Sequence, residues 1–123
     1  MNKELWEKTI EFHGHECLGV ALGFRMGEEA KKIFGDNAEI HCKMPAKNCI
    51  TDGITVTTGA SIENGRIQID SSVKNYLFYV PDDEEGWMFI RKEINFPKAE
   101  DALAIVLSAG RDFLFSMMPY DMD

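Results

Sequence analysis

Leu5, Trp6, Thr9, Ile10 and Phe12 recur at intervals that place them roughly on one face of a helix, which predicts a short first helix over residues 3–12. Leu18, Leu22, Met26, Ala30, Ile33 and Phe34 continue at helical spacing and predict a longer helix over 18–34. Gly35-Asp36-Asn37 should stop it, with Gly35 as a left-handed cap. Residues 38–44 predict a strand that ends at Pro45. The segment 48–59 reads both ways. Thr51, Thr55, Val56, Thr57 and Thr58 are β-branched and favour a strand. Ile50, Ile54 and Thr57 or Thr58 nevertheless share a helical face that Asn48 could cap.

Beyond it, Asn64-Gly65 is a strong turn signal. Residues 66–70, 73–80 and 87–93 alternate or carry β-formers, and they predict a three-stranded antiparallel meander. Pro97 followed by Lys98 to Ala109 predicts a last helix, with Gly110 just past its end. Helices and strands are segregated along the chain. The expected fold is therefore α+β, an antiparallel sheet packed with helices in a single compact domain over 1–123.

The 123 residues match that expectation, since 45% are hydrophobic and 28% charged, ordinary values for a soluble globular chain. Thirteen basic residues stand against 21 acidic ones, a net charge of −8, and such a surface repels phosphate backbones. Nucleic acid is not an expected partner. Met1 to Phe12 has no apolar stretch of signal-peptide length. The longest apolar-rich run, Ala102 to Leu107, is far short of the roughly 20 residues that span a bilayer. A cytoplasmic protein without a membrane segment is expected. Three cysteines, Cys17, Cys42 and Cys49, suit a reducing compartment and exclude a four-cysteine zinc finger within one chain. The sequence holds no Gly-rich phosphate loop, dinucleotide fingerprint or Gly-x-Ser-x-Gly elbow. Asp82-Asp83-Glu84-Glu85 reads as a solvated turn without calcium-loop spacing. Trp87, Phe89, Phe113 and Phe115 read as core or interface residues, and the apolar stretch Met117 to Tyr120 as a segment by which a partner subunit docks.

Gly19, Gly23 and Gly27 form a stripe along the 18–34 helix. Each costs about 0.8–1 kcal/mol against alanine in a helix interior, so something should press against the backbone there. Close packing against another helix or sheet is the favoured reading; an approaching ligand or metal-site neighbour is the alternative. Arg25, Glu28 and Glu29 exclude a membrane dimer.

His13-Gly14-His15-Glu16-Cys17 places two imidazoles and a thiol within five residues, all good ligands for zinc and other borderline transition metals. In a helix, His13 and Cys17 share a face and His15 points elsewhere. If Gly14 breaks the helix, all three can converge. Cys17 also stands near the start of the next helix, whose dipole would lower the thiol pKa. A thiolate there could serve as metal ligand or as nucleophile with a neighbouring His as base. His41 and Cys42 are adjacent and would face opposite sides of a strand, so both read as bystanders. Cys49 and Asp52, on spacing alone, read as a buried thiol and a carboxylate facing a helix dipole.

Phe12-His13-Gly14-His15-Glu16-Cys17-Leu18-Gly19, running into Ala21-Leu22-Gly23-Phe24-Arg25-Met26-Gly27, resembles the opening signature of the formylmethanofuran dehydrogenase E-subunit family. Cys49-Ile50-Thr51-Asp52-Gly53-Ile54 and then Thr58-Gly59-Ala60-Ser61 resemble its second block, and Lys74 with Phe78-Tyr79 fits the strand that follows. The resemblance implies an α+β core with a metal site, in a family whose members are usually dimeric. It carries His13, His15 and Cys17 over from the first block and brings in Cys49 and Asp52 from the second. The implied cofactor is a divalent transition metal, zinc above others, with Asp52 as either a partner to a ligand or a general base. Many members append a zinc finger with paired cysteines; no cysteine follows Cys49 in this sequence, so a core without that finger is expected. Leu18 stands where the family has proline, Ala60 where it has a second cysteine, and Glu63 where glycine or lysine is common. Two functions follow. The first is a metal-binding domain with a small-molecule or redox-related role, as a homodimer. The second is a non-catalytic accessory subunit docking to a molybdenum or tungsten redox enzyme complex.

Overall fold

Asn2 accepts the Leu5 backbone N–H through its side chain and starts α1, Lys3–His13. Gly14, at φ +98°, ends it and donates its N–H to the Ile10 carbonyl. Four residues later α2 begins and runs over Leu18–Phe34, the span its apolar spacing predicts. Gly35 does take a positive φ of +104°, but its ψ of 153° lies outside the left-handed helical region. The computed structural model describes residues 2–83 and 85–121; of the acidic turn at 82–85, Glu84 lies outside the described residues.

The ambiguous segment is helical. After β1, His41–Met44, the chain enters α3, Cys49–Thr58. Asn48 caps it through its side chain to the Ile50 N–H, and the Thr51 hydroxyl reaches back to the Asn48 N–H. Removing this reciprocal cap with Asn48→Ala should cost about 1 kcal/mol, read as a fall of about 3–4 °C in the thermal midpoint. The threonines that favour a strand lose that preference to packing. Thr57 is buried and satisfies its hydroxyl on the Gly53 carbonyl at 2.8 Å.

The remaining strands are β2 (Ile67–Ile69), β3 (Tyr76–Tyr79), β4 (Glu85–Arg91) and β5 (Phe115–Asp121), and the sheet order is β2-β1-β3-β4-β5. This corrects the expected meander. Residues 67–69 do not pair with β3; they lie parallel to β1, with Cys42 opposite Ile67. A parallel pair needs a crossover, and α3 supplies it once 49–58 is helical. The meander exists one strand later, as β3, β4 and β5, paired antiparallel. The expected last helix is also shorter. A 3-10 turn at Ala99–Asp101 leads into α4, Ala102–Ser108, and Gly110 precedes a further turn, α5, Arg111–Leu114. The sheet is thus mixed within an α+β architecture.

Along β1 Cys42 and Met44 are buried while His41 and Lys43 are half-buried, the alternation of a sheet with one face on the core. Phe24 and Met26 of α2 join Phe78, Phe89 and Phe115 of the strands in that core, all fully buried. Phe113, expected in the core or an interface, lies outside the core at 51% exposed. Gly19, Gly23 and Gly27 lie against α3, which settles their stripe as helix packing. A Cβ on Gly23 would stand 2.1 Å from the Ile50 carbonyl oxygen, and one on Gly53 would stand 2.4 Å from both the Phe24 nitrogen and the Val20 oxygen. The two helices touch backbone to backbone at this crossing. That contact fixes where the first turn of α3 sits relative to the start of α2.

Candidate metal centre

The residues 14–17 between α1 and α2 are not helical, because Gly14 takes the left-handed conformation that ends α1. His13 is consequently the last residue of one helix, Cys17 the residue capping the next, and His15 lies in the bend between them. The ligand atoms of His13, His15 and Cys17 lie within 4.8 Å of one another. The two imidazole rings have centroids 4.6 Å apart at a 33° tilt. His15 is exposed, whereas His13 and Cys17 are half-buried, so the trio opens to solvent on the His15 side.

Each nitrogen of His13 has a distinct task. Nδ1 stands 2.7 Å from Oδ2 of Asp52, and Nε2 stands 3.6 Å from the Cys17 sulfur. The His13 side chain is only 10% exposed, which shields this bond from water. Accepting a hydrogen bond from Nδ1, the Asp52 carboxylate raises the His13 pKa above the ordinary imidazole value against the opposing effect of burial, with Cys17 adding to the rise. For Cys17, burial pushes the thiol up. The Val20 N–H at 3.4 Å, the Cys49 thiol and His13 outweigh it, so the pKa falls below the ordinary value. Cys49 moves the opposite way: its hydrogen bond to Cys17, burial and the nearby Asp52 carboxylate all favour the neutral thiol. Of the two neighbouring sulfurs, Cys17 is thus the one whose ionised form the site favours, and Cys49 the one it holds toward the neutral thiol.

The donor set fits a zinc-like ion. With Zn–S near 2.3 Å and Zn–N near 2.0–2.1 Å, a tetrahedral site separates sulfur from nitrogen by about 3.6 Å. The distance between Cys17 Sγ and His13 Nε2 is 3.6 Å. Asp52 on Nδ1 leaves Nε2 as the free nitrogen of His13, the arrangement of a carboxylate that orients a metal-binding imidazole. Cys49 and Asp52, weak candidates on spacing alone, reach this place because they stand in the first turn of α3. The Val20 N–H reaches Cys17 because Cys17 caps α2, in line with its expected place at the start of that helix. The bystanders stay apart. His41 pairs with Glu39 at 2.9 Å, and the fully buried Cys42 has its pKa pushed far up by desolvation. Ala60, at the position where the resembled family has a second cysteine, is also fully buried.

Residues 12–110 match the family described as FmdE, Molybdenum formylmethanofuran dehydrogenase operon. A curated relative, a probable S-adenosyl-L-methionine-binding protein of Archaeoglobus fulgidus, is 33% identical over 96 residues, which is 72% of this chain. The match spans 26% of that relative's length. Among solved structures, an FmdE-like protein of the tungsten formylmethanofuran dehydrogenase type from Syntrophus aciditrophicus superimposes with a TM-score of 0.73. That match covers 98% of this chain and 72% of the other at 16% identity, so the likeness is one of fold. No described helix is long and apolar enough to cross a membrane.

Proposed function

The chain belongs to the FmdE family, described by its association with the molybdenum formylmethanofuran dehydrogenase operon, and on that premise we propose that it is a metal-binding domain. One divalent transition ion, zinc before others, would be held by His13, His15 and Cys17, with Cys49, deprotonated on binding, as fourth ligand. The observation that carries this reading is the convergence of three soft donors within 4.8 Å, one of them oriented by a carboxylate at 2.7 Å. Of the two roles open to Asp52, the bond to Nδ1 supports that of positioning residue. It fixes the tautomer of His13 and aims Nε2 inward. Cys17 supplies the thiolate, stabilised by the Val20 N–H. His15 closes the exposed side and is the ligand most easily exchanged for a small molecule. A bound ion would supply Lewis-acid chemistry at that side.

Elemental analysis of protein purified without added metal tests the proposal; about one equivalent is expected, and metal-free folded protein would overturn it. Every one of these ligands binds an ion in its deprotonated form, so protons compete as the pH falls. Chelator competition between about pH 8 and pH 6 should show at least a tenfold loss of affinity on the acid side. The expected homodimer would form along β5, which ends the sheet and carries the exposed Met118 and Tyr120. Light scattering, with Met118→Glu as the disrupting variant, reads that association directly.

A further inference from the structure

A cavity of about 480 Å³ lies between the start of α2 and the segment that leaves β4. Its size falls within the roughly 300–1,000 Å³ typical of small-molecule sites. Leu18, Leu22, Phe96 and Val106 give it an apolar floor. Leu18 is 38% exposed although it is a large aliphatic side chain, and Leu22 and Val106 behind it belong to the buried core. The charged wall consists of Arg91, Lys92 and Glu93. Lys92 is committed, its ammonium donating to the Asp112 carbonyl and its backbone N–H to the Leu114 carbonyl. The Arg91 guanidinium is exposed and has no hydrogen-bond or ion-pair partner among the described residues.

On a chain of net charge −8, two cations against one acid make this wall a local reversal of sign. An apolar floor beside an uncommitted planar guanidinium matches a ligand with two unlike ends. We propose that the cavity is a binding site for a small amphiphilic organic anion, its apolar body on Leu18, Leu22 and Phe96 and its carboxylate or phosphate on Arg91. The cavity does not include His13, His15 or Cys17 among its walls. It is tied to them through Leu18, the residue after Cys17 and one of the positions where the sequence differs from the family pattern it resembles. An anion seated here lies one residue along from the candidate metal ligands without needing the ion to bind.

The test is calorimetric titration of the full chain with decanoate and with decyl phosphate, each below its micelle concentration. Acetate and decyltrimethylammonium serve as probes of the two ends. Saturable binding of the two decyl anions is expected, at least about tenfold tighter than acetate or the cation. Which anion binds more tightly distinguishes a carboxylate ligand from a phosphate ester. Arg91→Gln should weaken the anions about tenfold and leave the cation unchanged, while Leu18→Ser should weaken every decyl probe about fivefold. Both side chains are exposed, and an unchanged unfolding midpoint shows that the fold is intact. Equal affinity for the decyl anions and the decyl cation would overturn the proposal, as would binding indifferent to both substitutions or no saturable binding. The titration is run on the protein as purified, and the cavity walls include none of His13, His15 and Cys17, so calorimetry reads this proposal and elemental analysis the metal reading, each separately.

Discussion

Gly23→Val should be among the most destabilising single substitutions this chain can carry. The first added carbon would stand 2.1 Å from the Ile50 carbonyl oxygen and within 2.9 Å of that residue's carbonyl carbon and Cα. All three are backbone atoms, so no side-chain rotation relieves the clash; α2 and α3 must separate. Overpacking of a close contact costs about 1–3 kcal/mol and more where the backbone itself must move. That outweighs the roughly 1 kcal/mol a glycine gives up to helix propensity. A fall of at least about 10 °C in the thermal midpoint is expected. Gly53→Ala meets the same crossing from the other side and should behave alike, since its Cβ would stand 2.4 Å from the Phe24 nitrogen. Gly110 supplies the contrast. It has φ −68°, and a Cβ there meets nothing within 4 Å. Gly110→Ala should therefore be neutral or raise stability by about 0.4–1 kcal/mol, by restricting the unfolded chain. Equal effects at Gly23 and Gly110 would refute the close-contact account.

The same crossing positions chemistry. Asp52 and Cys49 are presented by α3 to His13 and Cys17, which belong to the junction of α1 and α2. A substitution that spreads α2 from α3 should weaken metal binding even though no glycine touches an ion.

Replacing the ligands themselves should have the largest effect on function. Cys17→Ser keeps a side chain that caps helices well, so α2 should still start at Leu18, but it replaces a soft thiolate by a poor zinc ligand. Metal content should drop from about one equivalent to less than a tenth, with the circular dichroism spectrum preserved. His13→Ala should do the same. Asp52→Asn removes the carboxylate that orients His13 and should weaken affinity by about 10–100-fold without abolishing binding. His41→Ala is the control, because the contacts of His41 are with Glu39 and the Tyr79 ring rather than with the trio. Cys49→Ser distinguishes a four-ligand site from a three-ligand site. A loss as deep as that of Cys17→Ser makes Cys49 a ligand, and a mild loss leaves it a hydrogen-bond donor to the Cys17 sulfur.

Features with a local cause were legible in the amino-acid order. Apolar spacing set α2 at 18–34, the run His13 to Cys17 named the soft donors, and three glycines four apart announced a close contact. The break at Gly14 was one of two conformations the sequence left open, and the positive φ that only a residue without Cβ takes cheaply decides for it. Features that depend on a partner far along the chain emerged only with the packing. Whether 49–58 is strand or helix turned on burial of Ile50, Ile54 and Thr57 against α2, which overrode the β-branched preference. That outcome placed β2 parallel to β1 and moved the meander to β3, β4 and β5. It also gave Asp52 to His13 across 39 positions of sequence. Spacing cannot express such a pairing, because residues on separate elements meet only when packing fixes the angle and distance between those elements.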